Sequence, residues 1–146
     1  AESALRSGHY KEAAEQYAYL NQKLPSQLAI LNNLAFALAQ QKDPRAIAFA
    51  EQALKLQPEN SSVLDTLGWA LTQTGQAAKG LPHLQKALSK APDNGDIHYH
   101  YAATLAASGD KTRAVNELKR LLASGNAFLM EKEARTLLAS LEGGFR

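Results

Sequence analysis

The chain has 146 residues, a formal net charge of +2 and no cysteine. That is enough for one domain burying roughly two-thirds of its unfolded surface, and it excludes disulfides and thiolate metal sites. The 16 Lys and Arg are scattered among 14 Asp and Glu, with none of the basic stripes and interleaved aromatics that nucleic-acid binding needs. Ala and Leu dominate while Ile, Val and Thr are scarce, which favours helix throughout. No apolar run approaches the roughly 18 residues of a membrane-spanning helix, so this stretch itself is expected to make no membrane contact.

In chain order, the predicted elements repeat. The first unit, residues 1–27, places Gly8, Ala13, Tyr17, Leu20 and Pro25, and its first helix is cut short at Ala1. The second, 28–60, opens with Leu31, Leu34, Ala35 and Leu38 and continues through Ala46 and Ala53 to Pro58. The third, 61–94, matches it with Leu64, Leu67, Gly68 and Leu71, then Gly80, Ala87 and Pro92. The fourth, 95–127, supplies Ala102, Leu105, Gly109, Ala114 and Leu118, with Asn126 in place of the proline. A last amphipathic helix, 128–142, offers Leu129, Ala134, Leu137, Leu138 and Leu141 to cover the end of a stack and turns Glu131, Lys132 and Arg135 to water. The sequence EGGF from Glu142 to Phe145 reads as a frayed tail, since no strand precedes it to build a phosphate loop.

Small residues such as Ala35, Gly68 and Ala102 let paired helices approach closely, and Leu38, Leu71 and Leu105 fill the space beside them. Asp43 followed by Pro44 reads as a cap and first-turn proline, with Asp110 capping in the corresponding place. Pro25, Pro58 and Pro92 end the second helices. Two positions depart from the pattern. Ala50 stands where the other units have Tyr17, Leu84 and Leu118, so Phe49 is expected to fill the gap. Pro82 lies inside a second helix and should bend it or loosen its first turn.

A large residue, a large–small pair, another large residue, a loop, a small residue and a closing proline resemble the tetratricopeptide repeat. That unit is a helix–turn–helix of about 34 residues. The match covers most of Ala1 to Asn126. It implies an all-α, right-handed α-solenoid of stacked units, closed by the C-terminal helix, in a chain that is a piece of a longer protein.

By the family's usual geometry, the first helix of each unit lines a concave surface. In units two to four those helices carry only Asp65 and Asp96 as charges. Their outward side offers Asn32, Asn33, Phe36 and Gln40, then Asp65, Thr66, Trp69 and Gln73, then Tyr99 and His100. Phe36 and Trp69 hold equivalent places, so their rings are expected to be neighbours, with the Trp69 ring partly exposed. These ten residues form a candidate groove in which flat rings and side-chain amides hold an extended protein or peptide. The same residue types suit a polysaccharide. The alternative is that Phe36 and Trp69 pack between adjacent first helices. Some tetratricopeptide proteins hold acidic chaperone tails with a Lys- and Asn-rich clamp, and this inner face has Asn33 but no Lys or Arg.

No acid, base or nucleophile set points to catalysis, and no metal or cofactor is implied. His98 and His100 are two apart on one helix and point to different faces. The Asn60-Ser61-Ser62 triplet reads as a helix cap rather than a glycosylation site. Residues Leu31 to Leu141 also resemble the C-terminal part of bacterial exported lipoproteins of the PEP-CTERM/exosortase sorting system, long arrays encoded beside exopolysaccharide genes. That resemblance implies the cell envelope, with a lipid anchor outside this chain, and a non-catalytic scaffold serving protein sorting or exopolysaccharide export. The thin cover over Leu5, Tyr17 and Leu20 predicts self-association through the N-terminal end.

Overall fold

The computed structural model describes residues 1–143, and among these every regular element is an α-helix. The helices are α1 (Glu2–Arg6), α2 (Tyr10–Lys23), α3 (Leu28–Gln40), α4 (Arg45–Leu56), α5 (Ser61–Gln73), α6 (Ala77–Lys90), α7 (Gly95–Ala107), α8 (Lys111–Ala123) and α9 (Glu131–Gly143). Consecutive helices pair as hairpins, and the pairs stack into an all-α solenoid whose last pair is covered by α9. First helices also pack on first helices, α3 on α5 and α5 on α7, while neighbouring second helices make no comparable contact. A stack that is tighter along one layer curves toward that layer, so α3, α5 and α7 line the inner, concave side.

The loops are built alike. Gly8, Gly75 and Gly109 follow their first helices at positive φ, and the next residue's N–H returns to a carbonyl five back: His9 to Ala4, Gln76 to Leu71, Asp110 to Leu105, at 2.8–2.9 Å. These are left-handed helix ends that satisfy orphan carbonyls. Lys42 makes the same turn at φ 57, with Asp43 N–H on Leu38 O. Four helix starts are capped by side chains. Asn60, Asn94 and Asp110 accept the amides of Val63, Ile97 and Arg113, and Asp43 accepts that of Arg45. The Arg45 guanidinium beside Asp43 holds its carboxyl below the usual carboxylate range.

Close approach is tightest between α5 and α6. A Cβ on Gly68 would lie 2.6 Å from Leu84 Cγ, and one on Gly80 would lie 2.5 Å from the Gly68 carbonyl. Thr72 ties this hairpin to the next, bonding Gly68 O at 2.8 Å and the buried Thr104 hydroxyl at 2.7 Å. Phe49 does fill the space beside Ala50, packed against Ala35, Leu67 and Leu71 on one side and Leu31, Ala53 and Val63 on the other.

Three details differ from the sequence expectations. Pro82 leaves the first turn of α6 intact: Gly80 N–H reaches Gln76 O at 3.1 Å and the helix runs on to Lys90. Leu129 is 70% exposed rather than covering the stack. Phe128 takes that place, wedged against Gly95, while Ala134, Leu137, Leu138 and Leu141 join the terminal core. Tyr17 is buried, because α1 and α3 already cover it, and only Leu5 and Leu20 remain half-exposed. The last part of the predicted tail, from residue 144, lies outside the described residues.

A polar pocket on the concave face

The concave layer opens into a pocket of about 220 Å³ between the first turns of α3, α5 and α7 and the segment that leads into α9. Six of the ten candidate residues line it: Asn32, Asn33, Phe36, Asp65, Thr66 and His100. Gln40, Trp69, Gln73 and Tyr99 do not. Gln40, Trp69 and Gln73 lie one to two turns further along their helices, and Tyr99, next to His100 in the chain, is turned against Trp69.

Trp69 is the main correction. Its ring is 6% exposed, enclosed between first helices, so the expected open face is absent. Its neighbour is His100 rather than Phe36: the His100 ring stacks on it with centroids 4.3 Å apart and planes at 25°. Phe36 lies tilted against His100 at 6.3 Å and meets Tyr10 edge-on at 6.1 Å. The indole N–H donates to Gln40 Oε1 at 2.7 Å, so Gln40 is engaged in supporting the ring. Tyr99 tilts against Trp69 at 6.0 Å, and burial, with Glu133 adding to it, pushes its hydroxyl above the usual tyrosine range.

His100 and Thr66 are also buried rather than presented outward, at 2% and 3% exposure. His100 Nδ1 donates to Asp65 Oδ1 at 2.8 Å, and Thr66 Oγ1 donates to the Ser62 carbonyl at 3.0 Å. Asn32 and Asn33 stand half-buried at the pocket. Asn32 Nδ2 donates to Ser62 Oγ at 3.0 Å, and Asn33 Nδ2 donates to the Tyr17 hydroxyl at 3.2 Å. Burial raises the pKa of Tyr17, a shift the Asn33 bond partly opposes. Two buried polar atoms of the pocket lining find no partner among the described residues: Asn32 Oδ1 and His100 Nε2.

The sequence reading misses the other wall: Ser61, Ser62, Asn94, Asp96, Ile97, Leu129 and Met130. Asp96 is the organiser there, since its Oδ1 accepts the Met130 amide at 2.9 Å and so folds the segment before α9 onto the concave side. Its rank as one of two charges on the inner helices is the signal that could have found it. His98 turns away from His100, as expected, to pair through Nε2 with Glu117 Oε2 at 2.5 Å, and Arg120 holds the other oxygen of Glu117 at 3.0 Å. No group of three or more metal-ligating side chains occurs among the described residues, and no helix among them is long and apolar enough to cross a membrane.

Two family models, both described as tetratricopeptide repeat, match residues 71–141 and 1–61. The fold is similar to that of MamA (41-end) from Desulfovibrio magneticus RS-1, with a TM-score of 0.68 and 19% identity over 96% of this chain and 78% of that one. It is similar also to TTC0263, a thermophilic TPR protein in Thermus thermophilus, at 0.73 and 20%, over 96% of this chain and 76% of that one. No curated protein matches the chain by sequence. Likeness at this level of identity speaks to the fold.

Proposed function

Because the chain belongs to the tetratricopeptide repeat proteins, we propose that it is a non-catalytic scaffold that binds an extended segment of a protein partner along α3, α5 and α7. The supporting observation is the concave pocket, in which polar side chains from three successive units converge within one opening. Concave sites with a few placed polar groups on rigid elements are where ligands are held. Asn32, Asn33, Phe36, Asp65 and Asp96 form the contact surface, while Trp69, Gln40, Tyr99 and His100 hold it in shape from beneath. Selecting a displayed random-peptide library on the protein, then mapping where the winners protect backbone amides, tests this. Protection confined to α4, α6 and α8 would remove the reading.

Carbohydrate stacking in the same groove has lost its main support, which was an open tryptophan face beside Asp65 and Gln73; the ring is buried. A narrower role in envelope protein sorting or exopolysaccharide export, with a lipid-anchored periplasmic location, rests on the sequence resemblance of Leu31 to Leu141. Fractionation of source cells tests it, and recovery in the cytosolic fraction alone would end it. Self-association through the N-terminal end is supported by an apolar surface at Ala1, Tyr19 and Leu20, with Tyr19 59% exposed. Sedimentation showing only monomer at high concentration would remove that part.

A further inference from the structure

The concave pocket is one-sided in its chemistry. Asp65 and Asp96 line it, and no lysine or arginine does. Each carboxylate is engaged through one oxygen: Asp65 Oδ1 by His100 and Asp96 Oδ1 by the Met130 amide. Asn32 uses its amide N–H on Ser62, which leaves its buried Oδ1 without a donor. The His100 ring directs Nδ1 at Asp65, which leaves Nε2 as its other polar atom. That atom is also unpartnered, on a side chain 2% exposed that lines the pocket.

The remaining oxygens of Asn32, Asp65 and Asp96 are acceptors, and two of the lining side chains carry negative charge. A carboxylate or phosphate would be repelled and would bring no donor. A hydroxyl would bring one donor and no charge. A guanidinium brings five donors in a plane with a positive charge, and an ammonium brings three. Phe36, Ile97 and the exposed Leu129 line the same pocket, which suits the methylene stem of a long cationic side chain.

Resting on the reading of this face as a peptide-binding surface, we propose that the pocket takes a basic side chain, arginine foremost, as the anchor of the partner segment. The test is a titration of the isotope-labelled protein with N-acetyl-arginine amide, followed by amide NMR shifts, against the neutral isostere N-acetyl-citrulline amide. The arginine probe should give saturable shifts at Asn32, Asp65, Asp96 and Met130, and citrulline should not. Asp65→Asn with Asp96→Asn keeps an Oδ1 acceptor for His100 and for Met130 while removing both charges. It should weaken arginine binding roughly tenfold or more. Equal shifts with citrulline, no saturable shift with arginine, or unchanged affinity in the double variant would overturn the proposal. So would a neutral trisaccharide, maltotriose, shifting those amides where arginine does not. Library peptides that protect α3, α5 and α7 yet carry no Arg or Lys would sink the basic anchor and leave the scaffold reading standing.

Discussion

His100 lies stacked on Trp69, 4.3 Å between ring centroids, and its Nδ1 hydrogen-bonds Asp65 Oδ1 at 2.8 Å. One residue thus joins the aromatic layer between the first helices to the carboxylate of the pocket above it. Trp69 and Tyr99 belong to the floor of the concave face, while Phe36 reaches its surface.

Trp69→Ala should therefore cost about 3–5 kcal/mol, as for other buried aromatics. This exceeds the lower figure that an exposed ring would give, because truncation empties a space between three helices and strands Gln40 Oε1. Urea denaturation measures it. A cost under about 1 kcal/mol would contradict the burial.

Gly80→Ala should destabilise the chain even though alanine is the better helix former by about 1 kcal/mol. The added Cβ would meet the Gly68 backbone carbonyl at 2.5 Å, and a main-chain atom in a packed hairpin has little room to yield. The net loss should be about 1–3 kcal/mol. A neutral or stabilised variant in the same unfolding experiment would show that α5 and α6 separate freely.

Pro82→Ala should act in the opposite direction. Pro82 is exposed within α6, where its missing N–H leaves the Ala78 carbonyl unpaired and its ring crowds the preceding turn. Restoring that bond should add about 1–3 kcal/mol. A lower denaturation midpoint in the variant would argue that the proline makes a favourable contact of its own.

Stability should fall with acid through His83. Burial first, then the nearby Lys86 charge, lowers its pKa below the ordinary 6.5, with Glu51 opposing. A histidine depressed in the folded state contributes stability that is present above its unfolded pKa and lost as pH falls through the folded value. Relative to His83→Gln, the wild-type chain should lose stability on going from about pH 7.5 to about pH 5. Parallel pH profiles for the two would contradict this.

The fold is legible in the sequence because the packing rules are local. Leu64, Leu67, Gly68 and Leu71 mark the buried stripe of α5, with Gly68 against its hairpin partner α6 and Leu67 and Leu71 against Ala35 and Ala50 of the preceding unit, and the same pattern recurs from unit to unit. Trp69 is illegible for a complementary reason. A first helix in a stack is covered on its sides as well as on its stripe, and what buries Trp69 is His100 from the next unit. A helical wheel of one segment carries no information about that neighbour. Likewise Asn32, Asn33, Phe36 and Asp65 are readable as one surface, while the far wall depends on Asp96 drawing Met130 back across the groove. That contact joins residues with no shared periodicity.

The most direct measurement is the footprint of library-selected peptides on the intact protein by amide hydrogen exchange. The concave-face account predicts new protection along the first turns of α3, α5 and α7 and at Met130. It also predicts that binding is lost when Asn33→Ala and Phe36→Ala are combined in a variant that still unfolds cooperatively. Protection confined to α4, α6 and α8, with affinity unchanged in that variant, would contradict it.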